Sequence, residues 1–269
     1  MLFFGLDAEA LARMRAADVL FLGNSRLMFA LRPAVLRPFF SGAGLDYYAL
    51  GFGFGEGDKF PLTIIRKFDL RPRLVVVNSD GFFGGWLSAW AETVNRDTPY
   101  AARKLRAEAE VAHDARVALH GVAPHWLSLF GWPGLGQART FDTYRSRFDG
   151  TWDIAPWPEA TYPFQSPSSG GSPPGRGEVA AARTFFAEMT ARGSRVVLTR
   201  VPTPNPRPGG APSAFAELLG VALLQVELPG PATFDQSHLG AGSAHDWSRA
   251  VTKELAPHLA ALASPPLVR

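Results

Sequence analysis

The chain contains no cysteine, which excludes thiol catalysis and Cys-ligated zinc but leaves the compartment open. It also lacks any apolar run of about 18 residues, the length a membrane-spanning helix needs. Although the pI is near 9.4, 27 basic against 24 acidic residues leave a formal charge of only +3. No block of five or more Lys and Arg occurs, so the sequence carries no footprint for nucleic acid or an anionic membrane surface. No internal repeat is evident. The opening "MLFFGLDAEALARMR" has acidic residues where a signal peptide would carry its long apolar stretch. The expectation is a chain soluble as written, in the cytoplasm or, behind an upstream anchor, in the periplasm or envelope.

What is present is an ordinary globular composition: 269 residues, 46% hydrophobic and 19% charged, enough to bury a core without staples. Hydrophobic spacing predicts a helix over 7–16, a strand over 18–22, and a helix over 26–39 that Pro33 and Pro38 break or end. A strand over 46–50, the Gly-rich turn "GFGFGEG" (51–57), a helix over 58–68 and the β-branched strand "LVVVN" (74–78) follow. The later part reads as helix 178–193, strand 195–201, helix 213–220, strand 221–227 and a closing helix 241–263, bent towards its end at Pro257. Strand and helix alternate at both ends of the chain, which predicts one three-layer α/β domain with a mainly parallel sheet. Residues 84–176 break the rhythm with many Trp, three of the six His and the loop-like "SPSSGGSPPGRG" (166–177). They read as an insertion over one edge or mouth of the sheet.

In open α/β sheets, ligands bind outside the carboxyl ends of the strands. Three polar features fall at such ends: Ser25 in "VLFLGNSR", Asp80 after "LVVVNS", and "TFDQSHLGAGSAHDWS", where Asp235 and His238 are three apart. A carboxylate that orients an imidazole, which deprotonates a serine hydroxyl, makes a strong nucleophile at neutral pH. Each piece alone has a bland explanation, because Ser is a good helix N-cap and Asp caps turns. The pairing, at two strand ends, points to chemistry.

"FLGNSR" and "DQSHLGAGSAHDWSRAV" resemble the first and last blocks of the SGNH (GDSL-type) hydrolase superfamily, in its divergent bacterial SGNH-like branch. The turn 51–57 stands where the second block is expected and "NSDGFF" (78–83) where the third is. The resemblance implies a flavodoxin-like α/β/α sandwich, Ser25 as nucleophile, His238 as general base then acid, and Asp235 as its orienting partner. It also implies an oxyanion hole made by the Ser25 N–H and a glycine N–H, with Gly53 the first choice and Gly51 and Gly55 as alternates. No cofactor is implied.

Two residues depart from the family's pattern. Asn24 stands where Asp is usual, and Asp80 stands where an Asn usually donates to the oxyanion. An ionised carboxylate cannot donate. Three alternatives remain: Asp80 is protonated, it binds a substrate hydroxyl, or Asn78 supplies the donor in a shifted register. Arg26 either contacts an anionic substrate group or forms a structural salt bridge. The Trp cluster (Trp86, Trp90, Trp126, Trp132, Trp152, Trp157) either packs the insertion onto its domain or stacks on sugar rings. His113, His120 and His125 lack metal-site spacing, so no metal is expected. "GFGFGEG" lacks the G-x-G-x-x-G spacing of a dinucleotide loop. The function expected is a serine esterase acting on O-acyl, above all acetyl, esters, with a small ester or an acylated carbohydrate as substrate. An envelope or polysaccharide O-acyltransferase and an inactive carbohydrate- or partner-binding module are the alternatives.

Overall fold

The computed structural model describes residues 8–51, 57–87, 92, 142–165, 173–204 and 211–263. Its centre is a five-stranded, all-parallel sheet in the order β2-β1-β3-β7-β8, formed by Tyr47–Gly51, Val19–Gly23, Leu74–Asn78, Arg195–Thr199 and Ala222–Leu224. The order reverses between β1 and β3, which is the switch point where flavodoxin-like sheets open a crevice at their carboxyl ends. The expected α/β class with a mainly parallel sheet is therefore met.

Side chains alternate across each strand, and both faces are covered. Val19, Phe21, Leu74, Val76 and Val197 face one layer, made by α2 (Ser25–Ala30), α3 (Pro33–Gly42) and the long C-terminal helix α7 (Ala241–Ala263). Leu20, Leu22, Val75, Val77 and Leu198 face the other, made by α1 (Ala8–Ala16), α4 (Lys59–Lys67), α5 (Arg176–Ala191) and α6 (Pro212–Leu219). Two-sided burial is why these strands read as unbroken apolar runs.

The break expected at Pro33 within 26–39 divides the stretch into two helices, whereas Pro38, also expected to break or end it, lies inside α3. Pro33 starts α3 at its first position, and Leu31 and Arg32 before it are extended, as a residue ahead of proline prefers. The backbone groups left over at this break are met from α7: the Ser248 hydroxyl donates to the Ala30 carbonyl at 2.7 Å and accepts from the Arg32 N–H at 2.8 Å. One buried hydroxyl thereby fixes α2 to the last helix. Strand β8 is shorter than the expected 221–227, because its ladder ends with the Thr199–Leu224 pair, where β7 leaves the sheet. Helix α5 begins at Arg176, so Arg176 and Gly177 belong to it and not to the loop expected over 166–177.

Within 142–165, β4 (Asp142–Arg145) and β5 (Trp152–Ala155) form an antiparallel hairpin. A second antiparallel pair joins β6 (Tyr162–Pro163) to β9 (Ala232–Thr233). The hairpin's turn covers the edge of β2: the Ala49 N–H donates to the Asp149 carbonyl at 2.7 Å. Gly150, at φ +70°, approaches so closely that a Cβ would lie 2.2 Å from the Ala49 carbonyl oxygen. Sheet edges carry unpaired backbone groups, and this turn satisfies one of them.

Asp149 anchors the turn. Its carboxylate accepts from Arg37 Nε at 2.7 Å, the Tyr47 hydroxyl at 3.1 Å and the Thr151 hydroxyl at 2.6 Å. Burial works to raise its pKa, but hydrogen bonds from Arg37, Thr151 and Ser146 outweigh that and hold it below the usual carboxylate range. Burial, reinforced by the neighbouring Asp149, pushes the Tyr47 phenol up, so it stays a donor. A lowered folded-state pKa means the stabilisation is complete above the unfolded pKa of about 4 and is lost as pH falls through the folded value. Asp149→Asn should therefore cost about 2–3 kcal/mol at pH 7. Denaturant titrations of both proteins at pH 7 and pH 3 should show that gap narrowing in acid. An equal gap at both pH values would contradict the assignment.

Candidate active site

Strand β1 ends at Gly23, and the chain turns at once into α2. Glycine is required there because a Cβ would lie 2.6–2.8 Å from Leu27. Gly51, at the end of β2, likewise gives room to Met28, whose Cγ would lie 2.2 Å from a Cβ. Two small residues thus let α2 settle on the strand ends. Asn24 caps it with an extended backbone; its Oδ1 accepts from the Arg26 N–H at 3.1 Å, and its Nδ2 donates to the Asp80 carbonyl at 3.2 Å. The second bond needs an amide, since a carboxylate has no hydrogen to give. Ser25, the first residue of the helix, is left at the carboxyl end of β1 beside the switch point.

The other half comes from the turn between β9 and α7. Asp235 Oδ1 accepts from the N–H groups of Ser237 (3.0 Å) and His238 (2.7 Å). The Phe234 N–H donates to the His238 carbonyl, a Thr233–Leu239 bridge closes the loop, and Gln236 takes a left-handed φ of +62°. This tight turn aims both side chains the same way. His238 Nδ1 lies 2.6 Å from Asp235 Oδ2, and His238 Nε2 lies 2.8 Å from Ser25 Oγ.

Burial works to raise the Asp235 pKa, but the His238 ring and the His238 and Ser237 N–H groups outweigh it and keep the carboxyl below its ordinary range. An ionised Asp235 only accepts, so Nδ1 carries a hydrogen, and in the neutral ring Nε2 then offers its lone pair to the serine hydroxyl. The ring sits among aromatics. Phe234 stacks beside it at 5.7 Å between centroids, and Phe29, one helical turn after Ser25, meets it edge to face at 5.0 Å. Trp157 and Trp152 pack against Phe29 in turn, whereas Trp86 is exposed.

Arg26 forms an ion pair with Asp80, Nη1 to Oδ2 at 2.5 Å, with the two side chains 10% and 2% exposed. Its Nε also donates to Ser237 Oγ at 3.1 Å. Asp80 thus faces a guanidinium. Asn78 is buried: its Oδ1 accepts from the Val201 N–H at 3.1 Å, and its Nδ2 is enclosed without a hydrogen-bond partner among the described residues. Gly53 and Gly55, like Trp90, Trp126, Trp132, His113, His120 and His125, lie outside the described residues. Among the described residues no group of three His, Asp or Glu could hold a metal ion, and no helix is long and apolar enough to cross a membrane.

Sequence reasoning missed Ser237, Phe29, Phe234 and the side-chain role of Asn24. Phe29 had a usable signal, since i and i+4 share a helix face, and Phe234 stands four residues from His238; the Asn24 amide and the Ser237 hydroxyl reach partners 56 and 211 positions away. The close packing at Gly23 yields a direct check. Gly23→Ala should lower stability by about 1–3 kcal/mol through overpacking against Leu27. Gly42→Ala, with nothing within 4 Å of the new Cβ, should be neutral or gain up to about 1 kcal/mol. Chemical denaturation of the pair measures the contrast, and equal midpoints would contradict it.

No protein-family model and no curated protein matches the chain. Among solved structures it is similar to a proposed acylhydrolase from Bacteroides fragilis NCTC 9343, with a TM-score of 0.38 and 13% identity over 96% of this chain and 98% of that one.

Proposed function

We propose that the protein is a serine hydrolase that cleaves O-acyl esters, acetyl esters above all, through an acyl-serine intermediate, with Ser25, His238 and Asp235 as its catalytic triad. The observation that carries this is the unbroken run of short contacts from Asp235 Oδ2 through His238 to Ser25 Oγ, at 2.6 and 2.8 Å. The second lies within the range that proton transfer between a nucleophile and its base requires, and the first holds that base in place.

In the first half-reaction the Ser25 hydroxyl passes its proton to His238 Nε2 as Oγ bonds to the substrate's carbonyl carbon. The imidazolium that forms is held by the ionised Asp235 and lies beside the Phe234 ring, an arrangement favourable to a cation. The carbonyl oxygen gains charge and turns to backbone donors, the Ser25 N–H and a glycine N–H of the 51–57 turn, with Gly53 ahead of Gly51 and Gly55. Each such donor is typically worth about 3 kcal/mol. When the carbon–oxygen bond to the alcohol breaks, His238 returns the proton to the leaving oxygen. Water then repeats the sequence on the acyl-serine, releasing the acid and restoring the hydroxyl. Asp80 has no donor role here: an ionised carboxylate paired with Arg26 accepts and does not give.

Ser25→Ala should reduce p-nitrophenyl acetate hydrolysis by about three or more orders of magnitude, and Asp235→Asn by about two to four. Both variants should keep the wild-type far-UV circular dichroism spectrum. A Ser25→Ala protein that hydrolyses at the wild-type rate would remove the proposal. Adding acylated and unacylated glycans separates hydrolysis from transfer: free acetate without a new glycan ester marks a hydrolase, and net transfer marks an acyltransferase using the same serine.

A further inference from the structure

We infer that Arg26 is a positioning residue: its guanidinium joins the end of β3 to the turn that bears Asp235 and His238, and so sets the gap between Ser25 and the imidazole. This rests on the function proposed above. Arg26 follows Ser25 directly, and its side chain turns inward, with Nη1 on Asp80 and Nε on Ser237. Ser237 stands between Asp235 and His238, and its N–H donates to Asp235 Oδ1 at 3.0 Å. A displacement of Ser237 would therefore be felt by the carboxylate and by the ring it orients.

The anchor is Asp80. Asn24, on the other side of Ser25, donates to its carbonyl at 3.2 Å, while Arg26 holds its carboxylate at 2.5 Å. Both neighbours of the nucleophile are thus tied to one residue at the end of β3. The chemistry requires arginine. A rigid planar guanidinium presents separate donors to two acceptors at once, whereas a lysine ammonium is a point charge on a flexible stem and cannot reproduce that fork. The same pairing neutralises Asp80, so that no uncompensated carboxylate opposes the negative charge that grows on the substrate oxygen.

Arg26→Lys and Ser237→Ala test this in steady-state hydrolysis of p-nitrophenyl acetate. Loss of alignment should lower kcat about 10- to 100-fold in Arg26→Lys and about 3- to 10-fold in Ser237→Ala, with KM within about twofold of wild type. The double variant should be no slower than Arg26→Lys alone, because both changes break one link. Ser237→Ala should also keep the wild-type thermal midpoint, which separates alignment from stability. Wild-type kcat in both variants, or a raised KM at unchanged kcat, would overturn the positioning role, and the second result would make Arg26 a substrate contact. If Arg26→Lys does not fold, kcat of Ser237→Ala decides alone. Either overturning result alongside an inactive Ser25→Ala leaves the serine hydrolase standing; full activity of Ser25→Ala is the separate failure of that function.

Discussion

One contact organises this molecule: the 2.8 Å approach of His238 Nε2 to Ser25 Oγ, between residues 213 positions apart. It depends on a topological constraint. Strand β1 sits inside the sheet with β2 on one side and β3 on the other, so its carboxyl end opens at the crevice between diverging connections. The last helix packs across the same face, its Trp247, Val251 and Leu255 fully buried in the core that also holds Phe21 and Leu27. The turn ahead of that helix is delivered to the end of β1 as a consequence. Ser248 then pins α2 to α7 at the Pro33 break, where a loose joint would otherwise leave two backbone groups unmatched.

Two carboxylates stand close to the serine, and their surroundings give them different tasks. Asp80 is almost wholly buried and neutralised by Arg26, a structural arrangement in which removing either partner leaves a costly buried charge. Asp235 is half exposed, holds three N–H groups of its own turn and remains ionised below the ordinary carboxylate range. Only the second is placed to answer a charge that appears on an imidazole. Their separation also accounts for the departures from the family pattern the sequence resembles: Asn24 donates where Asp could not, and Asp80 receives where Asn would leave Arg26 without a counter-charge.

Much of the fold was legible because its signals are local. The β-branched run at 74–78 and the periodic stretch at 241–263 form elements with those bounds. Pro33 marked a break whose form, two helices and a hydroxyl bridge, needed the partner helix to be seen. The end of β8 was not legible, since it is set by where β7 leaves the ladder and not by its own apolar run. The same division holds at the site. Ser25, Asp235 and His238 stood out through residue type and position at strand ends, whereas Arg26 left two readings open until its partner across 54 positions was known. Asn24 is legible as a helix cap, but its bond to Asp80 and that of Ser237 Oγ to Arg26 carry no sequence signal, because those contacts are made by the tertiary structure.

The central claim is that the Ser25 hydroxyl is activated by its neighbours, and a fluorophosphonate probe measures that directly. Mass spectrometry of the labelled, digested protein should find one adduct per chain, on the peptide carrying Ser25, with hydrolysis lost in proportion to labelling. Hydrolysis that survives complete labelling of Ser25, or a protein that hydrolyses esters while Ser25 stays unlabelled, would contradict it.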